Sequence, residues 1–330
     1  SESLQFGVWL KEDKSIKLEE IHLFECLPHE AFIKVTFSGI CGTDLELIRG
    51  YYPFTGVIGH EFVGKVIQIG SDFDEKQRSE WIGKRVVSNI HEVCHSCESC
   101  KLGLFTHCRS RKTLGLISKN GCHATHCSMP LEALRIVPNS IPDRCAVFAE
   151  PLAAALSIQR EIQITPSTKV LVFGAGRLGQ LISWTLSLTS CSVCVVARHS
   201  KQRELLLSRN IPIITESECE SIESEFDVVV ECTGNPTTFQ SCLRLVKPRG
   251  TIVLKSTYPE SVPVNLSAIV VKEVSLVGSR CGSISSALRL LATTELDPSI
   301  LIEEIYPLKE AIDAFQHASQ SGTMKILLEP

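Results

Sequence analysis

Apolar residues in the first 145 or so positions come in short runs, AFIKVTF, EFVGKVIQIG and KRVVSNI, rich in β-branched side chains and broken by glycine-containing turns. Such runs predict a β-rich region. From about residue 167 the texture changes, and KVLVF, a helical stretch through Leu188, VCVVA, a helix from Lys201, FDVVVECTG, a helix near Phe239 to Val246 and GTIVLK follow in turn. Strands alternating with helices predict an α/β region with a parallel, doubly wound sheet. The last 45 or so residues carry two amphipathic stretches, SSALRLLAT and LKEAIDAFQHA, and then the strand-like MKILLE. No internal repeat or low-complexity tract interrupts this order.

At 330 residues the chain is too long for one comfortable hydrophobic core, which favours two domains. Its net charge of −4 is spread along the chain, so neither a nucleic acid nor a membrane surface is an expected partner. No apolar run approaches the roughly 20 residues that span a bilayer. The opening SESLQFGVWLKEDKSIKLEE has acids where a signal peptide needs basic and then apolar residues, so a cytoplasmic location is expected. The 15 cysteines then read as thiols and metal ligands rather than disulfides.

Four of them are regularly placed. Cys94, Cys97, Cys100 and Cys108 have the spacing C-x2-C-x2-C-x7-C, within a lobe of about residues 91–110. One loop of that length can fold four thiolates around a tetrahedral ion, and zinc suits four soft sulfurs and supplies folding energy to a lobe with little core of its own. A closed four-sulfur site leaves no open position, so this zinc would be structural. Catalysis has to be sought elsewhere.

Upstream stand GICGTDL, with Cys41, and GVIGHEFVG, with His60 and Glu61; downstream stands FAEPLAAAL, with Glu150. Together with the lobe these motifs resemble the zinc-containing medium-chain dehydrogenase family, in its order and over nearly the whole chain. The resemblance implies a β-rich, GroES-like catalytic domain at residues 1–151, a Rossmann domain at 152–283, a return to the catalytic domain at 284–330, and an active site between them. It also implies a catalytic zinc held by Cys41, His60 and Glu150, with Glu61 able to approach or replace one ligand and a fourth position open. An alcohol bound there becomes acidic and expels hydride toward a nicotinamide. Thr43 matches the hydroxyl that relays the departing proton, and Asp44 would orient the ligands. Glutamate at 150, where liver-type enzymes have cysteine, resembles polyol, sugar and threonine dehydrogenases and tilts the substrate toward a polar alcohol. The gap from Cys41 to His60 is slightly shorter than the family's usual one, which alters the pocket loop around Tyr51, Tyr52 and Phe54. Family members are usually homodimers or homotetramers.

Gly174, Gly176 and Gly179 form G-x-G-x-x-G, enclosing Arg177 and Leu178, directly after KVLVF and at the mouth of the apolar-periodic LGQLISWTLSL. In that context the glycines permit a tight turn that sets a pyrophosphate on a helix N-terminus. An NAD site normally places an acid about 20 residues later for the ribose hydroxyls. No acid occurs from Leu181 through Arg203, and VCVV ends instead in Ala197, Arg198, His199, Ser200 and Lys201. Those donors suit a 2′-phosphate, so NADP is expected, with NAD possible on the reading of a solvated basic turn. Thr233, Gly278 and Ser279 end parallel strands and so face the cofactor crevice, as do Lys255, Ser256, Thr257 and Arg280 for nicotinamide or substrate.

Other residues invite weaker readings. If GCHATHCSMP is a strand, alternation separates Cys122 and His126 from His123 and Cys127, so the four cannot converge on a metal. Cys191 and Cys194 form C-x-x-C, but Cys194 lies in a strand where a small thiol is ordinary packing. His91 is a candidate for a pocket-lining or proton-relay role beside the reading of a surface histidine. Two rival functions remain: a zinc-free quinone or enoyl reductase, which should lack Cys41, His60 and the cysteine lobe, and a non-catalytic NADP-sensing protein, which should bind cofactor without turnover.

Overall fold

The computed structural model describes residues 4–21, 26–258, 261–293 and 295–330. The chain divides into two compact units, one made of residues 1–150 and 284–330 and the other of residues 151–283.

The main sheet of the first unit, among the described residues, has seven strands around Glu30–Gly39, which pairs antiparallel with Glu61–Ile69, His126–Pro130 and Lys325–Glu329. Glu30–Gly39 is buried almost throughout: Ala31, Ile33, Val35 and Phe37 line one face, and on the other Glu30, Phe32 and Ser38 are also covered, leaving only Lys34 exposed. The helix Ala311–Ala318 turns Ala311, Ala314, Phe315 and Ala318 inward, at i, i+3, i+4 and i+7, onto Leu45, Leu47, Ile58 and Leu328. That core underlies the segments at 41 and 60. The amphipathic run from Leu308 begins as a 3-10 turn, Leu308–Glu310, and becomes α-helical only at Ala311. A three-stranded sheet, His91–Glu92, Lys112–Leu114 and Ser118–Lys119, forms the base of the cysteine lobe.

GCHATHCSMP departs from the alternation argument. Its strand covers only His126–Pro130, and residues 121–123 instead run beside 57–59, with Gly121, Cys122 and His123 amides donating to Val57, Gly59 and Ile58 carbonyls. No metal-ligand group forms from these residues among those described.

The second unit is a six-stranded parallel sheet ordered Ile213–Ile214, Ser192–Val196, Lys169–Phe173, Phe226–Glu231, Val246–Leu254, Ser275–Gly278. In sequence terms that order is 3-2-1-4-5-6, the doubly wound dinucleotide-binding topology. Val170, Leu171, Val172, Val229 and Val230 are wholly buried, as expected of strands covered on both faces. Val246 is the first residue of a strand, not the last of the preceding helix, which ends at Leu245.

Candidate metal and dinucleotide sites

The lobe brings its four cysteine sulfurs within 4.8 Å of one another. Cys94 Sγ lies 3.5 Å from Cys108 Sγ and 4.0 Å from Cys100 Sγ. Sulfurs bound at 2.3 Å to one tetrahedral zinc are about 3.8 Å apart, so the spacing fits the ion. The amides of Cys97 and Cys94 donate to Cys94 Sγ and Cys108 Sγ, both at 3.4 Å. Hydrogen bonds from Ser96 and the Cys97 amide lower the Cys94 thiol to about 5, while burial and neighbouring thiols push Cys100 up to about 12. Holding all four as thiolates therefore calls for a cation among them. His91, at the base of the lobe, places Nδ1 3.0 Å from Thr113 Oγ1.

A second group joins residues distant in sequence. Cys41 sits at the start of the helix Gly42–Ile48, whose Asp44 carboxylate turns back to accept from the Cys41 amide at 2.8 Å. His60 follows Gly59, whose φ of +102° only glycine adopts readily, and Glu61 opens the strand Glu61–Ile69. These turns bring Cys41 Sγ, an imidazole nitrogen of His60 and a carboxylate oxygen of Glu61 within 4.8 Å of one another. Cys41 is half-buried, while His60 and Glu61 are buried. Thr43 Oγ1 is 3.8 Å from Cys41 Sγ. The carboxylate gathered here is that of Glu61. Glu150 lies on the helix Ala149–Leu156 and is not part of the group.

Charge at this centre is strongly biased. Burial opposes ionisation of Asp44, but the imidazoles of His60 and His123 outweigh it and hold the carboxyl far below its ordinary range. Burial likewise opposes a charged His60, yet Asp44 and Cys41 hold the imidazole well above its ordinary value. His60 Nδ1 and Asp44 Oδ1 face each other at 3.4 Å, and neither has a hydrogen-bond partner among the described residues. A soft sulfur, an imidazole and a carboxylate that favours positive charge suit zinc, which would take the place of the proton on the other ring nitrogen.

Sequence reasoning missed three supporting residues. Lys325 Nζ donates to Glu61 Oε2 at 2.5 Å. Buried His123 and Ser38 form a chain to Asp44. His123 within GCHATHCSMP was the one available signal for them. The pocket loop also differs from expectation, since Phe54 is buried in the core and Tyr52 is exposed.

In the second unit Gly174 has φ +117°, and a Cβ on Gly179 would collide with the Gly174 carbonyl oxygen, so both positions need glycine. Gly176 caps the helix Arg177–Ser187 with open space above its α-carbon, leaving room for a backbone-bound pyrophosphate; Arg177 and Leu178 occupy the first turn. At the end of Ser192–Val196 the Arg198 guanidinium pairs with Glu216 at 2.7 Å on the surface. His199 caps the helix Ser200–Leu207, with Lys201 in its first turn. Arg203, overlooked in the sequence, donates from Nε to the Ala197 carbonyl at 2.9 Å and so stands at the same strand end.

Thr233 is exposed and Ser279 is buried, and both are tied to neighbouring side chains. The Thr233 amide and hydroxyl donate to buried Glu231 at 2.7 and 2.6 Å. Ser279 Oγ lies 2.6 Å from Ser157 Oγ and accepts from Lys255 Nζ, which also donates to the Ala154 and Arg280 carbonyls. These side chains brace the strand ends, and Gly278 beside them is exposed.

Comparison with known proteins places the chain. Residues 27–139 match the family model described as "Alcohol dehydrogenase GroES-like domain", and residues 187–294 that described as "Zinc-binding dehydrogenase". A sorbitol dehydrogenase of Halalkalibacterium halodurans is 28% identical over 321 residues, 92% of each chain. A D-altritol 5-dehydrogenase of Agrobacterium fabrum is 28% identical over 325 residues, 94% of this chain and 95% of the relative. The crystal structure of a zinc-binding dehydrogenase from Sinorhizobium meliloti 1021 bound to NADP superposes over 100% of both chains with a TM-score of 0.89 and 26% identity. With both ligand sets, the G-x-G-x-x-G turn and the sheet order already in place, the chain belongs to the zinc-containing medium-chain dehydrogenase family of alcohol and polyol dehydrogenases.

Proposed function

We propose that this enzyme carries two zinc ions, one structural at Cys94, Cys97, Cys100 and Cys108 and one catalytic at Cys41, His60 and Glu61, and moves a hydride between a polyol-like carbinol and NADP. The observation that carries the reading is the convergence of Cys41 with the adjacent pair His60 and Glu61 from two separate segments. When bound there, zinc supplies a Lewis acid that makes an alcohol hydroxyl acidic at neutral pH. Thr43 Oγ1 would accept the hydroxyl proton and pass one on, and bound NADP would supply the acceptor for the carbinol hydride as the carbinol becomes a carbonyl. Asp44 orients His60, and Glu61 keeps the centre from accumulating positive charge. Glu150 belongs to the surroundings of this centre in our reading.

The second unit binds the dinucleotide, with the pyrophosphate at Gly174, Gly176, Arg177, Leu178 and Gly179, and Arg198, His199 and Lys201 around the 2′-phosphate. Thr233, Gly278 and Ser279 contribute through their main chain. The sorbitol and altritol dehydrogenases among the relatives support a polyol, and the NADP-bound structure supports the cofactor. A homodimer or homotetramer fits the edge strand Ser275–Gly278, where Leu276 is exposed, and the helix Leu266–Lys272 before it, where Leu266, Val270 and Val271 are exposed. Among the described residues no helix is long and apolar enough to cross a membrane.

The test is a screen of alcohols, polyols, sugars and hydroxy acids with each nicotinamide, followed by reduced-cofactor absorbance. Turnover of a polyol that is abolished in Cys41→Ser and His60→Ala, with cofactor binding retained, is the expected result. Cofactor binding without turnover on any carbinol would point instead to a sensing protein.

A further inference from the structure

The first unit buries an imidazole that neither the ligand set nor the hydride step uses. His123 is wholly inaccessible to water, yet both its ring nitrogens are engaged. Nε2 lies 3.2 Å from Asp44 Oδ2, and Nδ1 lies 2.8 Å from Ser38 Oγ. An ionised carboxylate can only accept, so Nε2 carries a proton and donates it to Asp44. Nδ1 meets the buried Ser38 hydroxyl, which can either donate to it or accept from it.

The same ring supports the chain leading into His60. A Cβ on Gly59 would come within 2.5 Å of His123 Cγ, so the imidazole occupies the space that glycine leaves one residue before the ligand. The amides of Cys122 and His123 donate to the Gly59 and Ile58 carbonyls at 2.9 and 3.0 Å. Phe315 closes the far side, edge to face at 5.6 Å. Asp44, also wholly buried, presents Oδ2 to the Cys41 amide and Oδ1 to His60 Nδ1. His123 therefore touches both the carboxylate between two ligands and the backbone that delivers one of them.

We propose that His123 is a positioning residue of the Cys41–His60–Glu61 centre: it is the donor that fixes Asp44 in the orientation from which Asp44 holds the His60 ring and the Cys41 amide. The inference rests on that centre being the catalytic zinc site. Phenylalanine at 123 keeps a ring against Gly59 and Phe315 but offers no N–H, whereas glutamine presents a side-chain N–H near the position of the imidazole one. A histidine needed only for packing is replaced well by phenylalanine and poorly by glutamine. A positioning histidine shows the reverse order.

The experiment is competition between the protein and a zinc chelator, read as zinc retained per chain, for the wild type, His123→Phe, His123→Gln and Ser38→Ala, with thermal unfolding followed in parallel. Cys41→Ser, which keeps only the lobe's zinc, identifies the fraction belonging to the centre. Loss of a group that orients a metal-binding imidazole weakens affinity by about 10- to 100-fold, so His123→Phe should lose that much at the centre alone, His123→Gln should stay within about threefold of wild type, and Ser38→Ala should fall between. Folded His123→Phe with wild-type zinc retention overturns the inference and leaves the proposed function standing. Should His123→Phe fail to fold, unchanged retention in Ser38→Ala overturns it instead. Wild-type protein that retains no more zinc than Cys41→Ser overturns the proposed function, and this inference with it.

Discussion

Lys325 Nζ lies 2.5 Å from Glu61 Oε2, and both side chains are almost wholly cut off from water. The ammonium also faces the Ile40 carbonyl at 3.4 Å and stands 5.8 Å over the Phe148 ring. Removing one member of a buried ion pair strands the other, at a cost of about 3–5 kcal/mol. Lys325→Met should lower unfolding free energy by about that amount in chelator-treated protein and by less in zinc-loaded protein, because a dication beside Glu61 supplies the missing positive charge. Denaturant unfolding with and without chelator measures the difference. Equal losses in the two conditions would mean that Glu61 does not face the metal.

The two ligand groups should separate in their consequences. Cys41→Ser is expected to stay folded, keep one zinc per chain by metal analysis and lose turnover, since only the open centre is damaged. Cys97→Ser should instead reduce solubility or thermal stability, because the lobe depends on its ion for order. Activity lost at unchanged stability in Cys97→Ser would contradict that division.

Arg198 reaches Glu216 at 2.7 Å, but the two side chains are 65% and 52% exposed. An exposed pair of this kind contributes about 0–1 kcal/mol, whereas a charge-assisted hydrogen bond to a phosphate contributes about 1.5–3 kcal/mol. The 2′-phosphate therefore wins the guanidinium, and NADP should be preferred by at least about tenfold in kcat/KM. Arg198→Ala should weaken NADP far more than NAD, and Glu216→Gln should widen the preference by freeing Arg198. Added salt should narrow it. Steady-state kinetics with both cofactors decides, and comparable values would return the basic turn to solvent.

Acid should act on the base of the cysteine lobe. Lys119 Nζ bridges Glu30 at 2.5 Å and Glu92 at 2.9 Å, and Lys112 reaches Glu92 at 2.6 Å. Burial disfavours the Glu92 charge, but hydrogen bonds from Lys112 and Lys119 outweigh it and lower the carboxyl below its ordinary value. A lowered folded pKa contributes stability that is full above the unfolded carboxylate value of about 4.3 and is lost as pH falls through the folded one. Glu92→Gln should therefore destabilise the protein at neutral pH and flatten the fall in melting temperature below about pH 4. An acid limb as steep as that of the wild type would exclude Glu92 as its source.

Features encoded over short stretches were legible from the chain alone. The cysteine lobe and the G-x-G-x-x-G turn each depend on residues that lie close in sequence, and the sheet strands of the second unit are continuous apolar runs. What escaped depends on register. Ser38 and His123 are 85 residues apart and His123 and Asp44 are 79 apart, and their meeting requires residues 121–123 to lie beside 57–59. Alternation assumed a strand from Cys122, whereas pairing with Glu30–Gly39 begins only at His126. Glu216 lies 18 residues beyond Arg198 and reaches it across the sheet edge, which no local pattern foretells. The choice between Glu61 and Glu150 stayed open for the same reason, since it turns on which carboxylate the tertiary structure carries to Cys41.

Because the first unit is assembled from both ends of the chain, its completion is set by the pace of synthesis. Lys325 is polymerised 264 residues after Glu61, and ribosomes add about 5–20 residues per second. For roughly 13–50 s, therefore, a nascent chain holds Glu61 without its counter-charge and Glu30–Gly39 without the strand Lys325–Glu329 beside it. The whole of residues 151–283 is synthesised within that interval, so the second unit is free to fold first. Premature termination between Ser283 and Lys325 would release a protein able to finish its second unit and unable to finish its first.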